Sequence, residues 1–170
     1  MSSHLTLWEQ RVPEEAFLFN PAFCGALLVE FVREYSKARA DDCPFVLPFC
    51  ALPVSLHPRS RSLLPGTTIT SMYTWLERNS NALIGYKDRA RSFRPVLQEA
   101  IRYAIDRSAL AISNNGDLAI GPSKVAFTPK FERELTHDAR ECVTTTKMLA
   151  RWFARAGTTS TILSAWGIRP

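Results

Sequence analysis

No stretch of this 170-residue chain is long and apolar enough to cross a bilayer, because Glu30 and Arg33 interrupt the longest candidate. A spanning helix needs about 18 uncharged residues or more. The opening MSSHLTLWEQ has no basic region leading into a long apolar core and a small-residue cleavage site, so no secretory signal is expected. That points to a cytoplasmic, reducing setting without a membrane partner. Glycine is sparse, at seven residues, and none falls in a phosphate-cradling loop. There is no Gly-x-Ser-x-Gly elbow, no His-Glu-x-x-His helix and no close pair of metal ligands. His137 and Asp138 are neighbours, which on a helix point about 100° apart and do not orient each other. These absences remove the common hydrolase, nucleotide-cleaving and zinc-enzyme designs, and the chain is expected to be no enzyme and to need no cofactor.

Cysteine is present but not organised. Cys24, Cys43, Cys50 and Cys142 have apolar flanks, and in a reducing compartment they act as small core hydrophobes. Cys43, Cys50 and His57 fall at intervals of seven, which raises a zinc reading. Structural zinc sites bring ligands in close pairs on a turn. None exists here, and Pro44, Pro48 and Pro53 fix the backbone between the candidates. The metal reading is therefore set aside.

Hydrophobic residues make up 46% of the chain and charged residues 22%, a balance that supports a packed core rather than disorder. The length suits a single domain over residues 1–170, with 1–19 as an apolar lead-in packed on the body. Twenty-one basic against sixteen acidic side chains give a charge of +5. That charge permits an anionic partner without requiring one.

The pattern predicts mainly helix with one β-hairpin. A helix opens at FNPAF, with Asn20 as cap and Pro21 at its first position. Glu30, Arg33, Glu34 and Lys37 gather its charges on one strip, leaving a wide face to bury. Four prolines limit residues 45–57 to a short buried helix or two turns. A helix capped by Thr68 or Thr70 follows, carrying Met72, Trp75 and Leu76 on one side. Residues 82–108 are helical again, with Phe93, Leu97, Ala100, Ile101 and Ala104 facing the core. Pro95 should kink this run or split it, with Ser92 capping the second part. ALAISNNGDLAIG then changes period from 3.6 to 2 around Asn-Asn-Gly-Asp. A three-residue loop at 114–116 would pair Ile112 with Leu118 and Leu110 with Ile120 on one face. Phe131, Leu135, Ala139, Cys142, Leu149 and Phe153 keep helical spacing up to Gly157, and Thr158 or Thr159 starts a short final helix that closes at Gly167. The order of helices, hairpin and helices fits an α+β fold that is winged-helix-like in sequence order alone.

Two basic stretches stand out. In LPFCALPVSLHPRSRSLLP, taken with the Phe45-Val46 just before it, residues 45–56 read as buried support. His57, Pro58, Arg59, Arg61, Leu63 and Leu64 read as a candidate contact surface, against the alternative of a solvated loop. Further on, Lys87, Arg91, Arg94 and Arg102, with Gln98 among them, share a helical stripe. It admits two readings, a solvated face or a set of phosphate contacts on DNA.

NPAF, the proline-punctuated stretch above, TSMYTWLERN, GYKDRARSFRPVLQEAIRYAI, NGDLAIG and the terminal WGIRP occur in that order. Together they resemble the middle component of three-component ABC-ATPase (ABC-3C) systems over residues 20–170. The resemblance implies a non-catalytic adaptor of antiphage and antiplasmid defence, of the kind best known from Lamassu systems. Such a subunit would dock on an SMC-like or Rad50-like ABC ATPase, itself a dimer. It would help hold or release an effector, often a nuclease, with DNA engaged through the complex.

Overall fold

The computed structural model describes residues 19–169, so the expected packing of the lead-in lies outside the described residues apart from Phe19. Its ring meets Phe93 edge-on at 5.0 Å. The described elements run α1 (Pro21–Arg39), α2 (Leu47–Ser55), α3 (Pro58–Leu63), α4 (Met72–Arg78), a 3-10 turn (Ser80–Leu83), α5 (Tyr86–Asp106), β1 (Leu110–Ile112), β2 (Leu118–Ile120), α6 (Pro129–Glu134), α7 (His137–Arg155) and α8 (Thr159–Ala165). Mainly helical with one antiparallel hairpin, the fold is the α+β class expected.

Helix α1 is the axis. The Asn20 side chain accepts the Ala22 N–H at 2.8 Å, and Pro21 occupies the first helical position. From there Leu27, Leu28, Phe31 and Val32 are fully buried. Each such side chain contributes about 1.5–3 kcal/mol by leaving water. α1 packs against α5 on one flank and α7 on another, with α2 and β2 closing the rest. The predicted charge strip does not face solvent throughout. Glu30 is buried at 4% exposure, holding the Arg33 guanidinium and accepting the Phe127 N–H at 3.3 Å. Arg33 also donates to the Val125 carbonyl, and Glu34 takes Arg151 at 2.6 Å. The chain after the hairpin thus crosses over α1 and needs a buried carboxylate to satisfy its backbone.

The hairpin has the expected register, with Leu110 opposite Ile120 and Ile112 opposite Leu118. Gly116 takes φ +83, and its N–H reaches the Ser113 carbonyl at 2.9 Å, which is the three-residue loop. Burial falls on one diagonal: Leu110 and Leu118 are covered while Ile112 and Ile120 are exposed. Cys43 adds a bridge to the free edge of β2, exchanging two backbone hydrogen bonds with Leu118 at 3.0 and 2.8 Å.

Three boundaries differ from expectation. α5 runs unbroken through Pro95, and Ser92 Oγ donates back to the Arg89 carbonyl instead of capping a second helix. Pro95 removes one hydrogen bond from the exposed side, while Val96, Leu97, Ala100 and Ile101 stay anchored in the core. The C-terminal helical run breaks at Leu135, because Thr128 and Thr136 each cap a separate helix. α4 is capped by Ser71, not Thr68 or Thr70; the Thr70 carbonyl instead accepts Trp152 Nε1 at 2.8 Å. At the end of the chain Thr158 and Thr161 form a reciprocal capping box for α8. Trp166 then lodges between Tyr86 and Phe153, with centroid distances of 5.1 and 6.1 Å.

Candidate functional site

Within residues 57–64, α3 runs between the caps His57 and Leu64, and its start is set by His57. The imidazole Nδ1 accepts the Ser60 N–H at 3.2 Å and lies 2.9 Å from Ser60 Oγ. An accepting Nδ1 must be unprotonated. Burial, then the positive charges of Arg89, Arg59 and Arg61, hold His57 below its ordinary value. The expected contact surface is not continuous. Pro58, Arg59 and Leu63 are exposed, and His57 and Leu64 are half-covered. Arg61 turns inward with a side chain only 4% exposed. It donates to the Ser55 carbonyl at 2.8 Å, touches Cys142 Sγ at 3.2 Å and is paired with Asp138. Glu141 stands 3.9 Å from its Nε. Arg61 is therefore a tie between α3 and α7 and is not offered to a partner. Arg89 makes a second tie, from α5, donating to Ser60 Oγ at 3.0 Å.

The buried support ahead of α3 begins later than expected. Leu47 to Leu56 are covered apart from the half-buried Phe49, but Phe45 and Val46 are exposed at 41% and 36%. They are held firmly all the same. Cys43 is fixed to β2 on one side, and on the other Leu47 N–H bonds the Pro44 carbonyl at 3.0 Å and Phe49 N–H the Val46 carbonyl at 3.1 Å. The Phe45 and Phe49 rings lie 5.7 Å apart.

Across from this pair runs the basic stripe of α5. Lys87, Arg91, Arg94 and Arg102 are all exposed, as is Gln98. Lys87, Arg91, Arg94 and Gln98 form one wall of an open groove of about 550 Å³. Phe45, Val46 and Phe49 form its apolar side, and Leu163, Ile168 and Arg169 close its end. Arg102 lies outside this lining. The sequence pointed to the cations but missed Phe45, Val46 and Ile168. Their only sequence signal was large apolar side chains beside Pro44 and Gly167, where helix periodicity gives no face.

The four thiols are buried, whereas His137 is exposed, 3.4 Å from Glu141. Burial pushes the Cys24 and Cys50 thiols up to about 12 and Cys142 to about 11, and raises Cys43 as well. Tyr86, also raised by burial, donates to the Cys50 carbonyl at 2.7 Å. Cys43, Cys50 and His57 serve a strand bridge, a tyrosine contact and a helix cap respectively. Among the described residues no group of three His, Cys, Asp or Glu side chains is placed to hold a metal ion, and no helix is long and apolar enough to cross a membrane.

A small helical protein with inert buried thiols and an open apolar groove is the class that fold and surface define. The family model of the ABC-three component (ABC-3C) system Middle Component 3 matches residues 8–170, and the chain belongs to that family. It is accordingly one component of a multi-subunit ABC system. No curated protein and no solved structure matches it.

Proposed function

We propose that this chain is a non-catalytic adaptor of a bacterial antiphage or antiplasmid defence complex. It docks in the cytoplasm on an SMC-like or Rad50-like ABC ATPase dimer and helps hold or release an effector, often a nuclease, much as in Lamassu systems. The family match over residues 8–170 carries this reading. The exposed Phe45 and Val46 support it, since a firmly held apolar pair on a soluble surface suits a protein contact. Pro58, Arg59 and Leu63 on α3 are further candidate contacts, with His57 and Leu64 at their edge. Co-expression of the full chain with the ATPase of its own system, followed by affinity purification and size exclusion, tests the reading. One shared elution peak is expected, and elution of the chain alone would remove it.

A second reading, a winged-helix-type DNA binder acting by itself, has one observation in its favour: Lys87, Arg91, Arg94 and Arg102 all stand exposed on α5. It requires DNA retardation at low salt that falls steeply as salt rises.

A further inference from the structure

The groove between α2 and α5 combines three properties rarely found on a surface that meets only water. Its apolar side is preorganised, because the backbone on both flanks of Phe45 and Val46 is hydrogen-bonded into the fold. Leaving such side chains wet is unfavourable in proportion to the apolar surface exposed, and an occupant would recover that free energy. Its other side is basic, with Lys87, Arg91 and Arg94 on the wall and Arg169 at the end. No Asp or Glu lines it among the described residues. Arg91 pairs with Asp88 at 3.7 Å, but the two side chains are 72% and 85% exposed, so Arg91 remains available.

From this we infer that the groove receives an acidic amphipathic helix of a partner subunit, with large apolar side chains on Phe45, Val46 and Phe49 and carboxylates toward Lys87, Arg91 and Arg94. The inference rests on the adaptor reading and gives it an address. Charge sets the sign of the partner, since cations bordering an apolar strip favour a segment that alternates acidic and apolar residues. A helix is the fitting form: one wall is α5, the apolar side is the Phe45-Val46 turn running into α2, and among the described residues no strand residue lines the groove, so no sheet edge is offered for an extended segment to pair with. Nucleic acid fits less well, because its phosphates would meet the cations while leaving the aromatic pair uncovered or requiring unstacked bases.

The experiment uses the full chain co-expressed with the ATPase and effector subunits of its system. Two variants probe the two sides, Phe45→Ser and the double charge reversal Arg91→Glu/Arg94→Glu, with Arg133→Glu as a cation outside the groove. All these side chains are exposed, and thermal melts check that each variant folds. Both groove variants are expected to weaken retention of the same subunit about tenfold or more, while Arg133→Glu does not. Retention by the parent chain should decline with salt, and the charge-reversed variant should lose that dependence. A photo-crosslinking side chain at position 45 should capture a segment whose apolar residues recur at three and four between acidic ones. Undiminished retention by both groove variants would overturn the inference while leaving the adaptor reading intact. So would capture of this chain's own residues 1–18, or loss of DNA retardation by the charge reversal with subunit retention unchanged. If the parent chain retains no subunit at all, the adaptor reading fails and the inference falls with it.

Discussion

The two basic stretches of this molecule, residues 57–64 and the outer side of α5, have similar compositions and opposite fates. In the first, Arg61 meets Asp138 and has Glu141 near its Nε, two carboxylates one turn apart on α7, and the Ser55 carbonyl occupies another of its donors. In the second, Lys87, Arg91 and Arg94 are exposed along the groove, and Asp88, 3.7 Å from Arg91, is itself almost fully solvated. A cation facing carboxylates from another element is part of the fold. One facing an apolar strip, with only a solvated acid on its own helix as partner, is left for something else. Which of these an arginine becomes depends on α7, some eighty residues away from Arg61, and local composition does not carry that information.

The sharpest way to break the contrast is Asp138→Ala. It removes the closest partner of the covered Arg61 charge, leaving Glu141 3.9 Å from its Nε, and should lower unfolding stability by about 1–3 kcal/mol in urea denaturation. A loss under about 0.5 kcal/mol would mean that the Asp138 pair adds nothing to the tie. Arg61→Met fills the same space without charge and should cost less than Asp138→Ala, separating the volume of the side chain from its pairing.

His57 sharpens the same side by pH. Its folded value lies below 6.5, so folding favours the neutral ring. Its contribution is complete above the unfolded value and is lost as pH falls below it, when Nδ1 takes a proton and no longer accepts the Ser60 N–H. Melts between pH 8 and about 5 should show this decline, and His57→Asn, which keeps a cap acceptor that does not titrate, should flatten it. The smallest effect is expected on the other side. Arg91→Ala/Arg94→Ala should change stability by no more than about 0.5 kcal/mol, since both side chains are exposed and the Arg91–Asp88 pair is solvated. A larger loss would show that α5 depends on its outer charges.

Much of the fold was legible because it is written locally. Asn20-Pro21 starts α1, Asn114-Asn115-Gly116 sets the hairpin loop and register, and Thr158 caps α8, each through atoms a few residues apart. Hydrophobic spacing likewise placed Leu97, Ala100, Ile101 and Ala104 inward. The misreadings concern partners far along the chain. Glu30 was placed on a solvated strip because nothing near it reveals that Phe127 would pass overhead. Pro95 suggested a kink or a split, and the split does not occur because the core contacts that keep α5 whole come from other elements. Of the groove, the cationic wall was legible from its spacing, whereas the aromatic side depended on Cys43 being fastened to β2.

The sealed thiols also make a built-in clock. With all four sulfurs buried, and burial disfavouring their ionisation, an alkylating reagent should label the folded molecule slowly. The pace of its labelling would report how often the interior opens to solvent, one cysteine for each of the segments around positions 24, 43, 50 and 142.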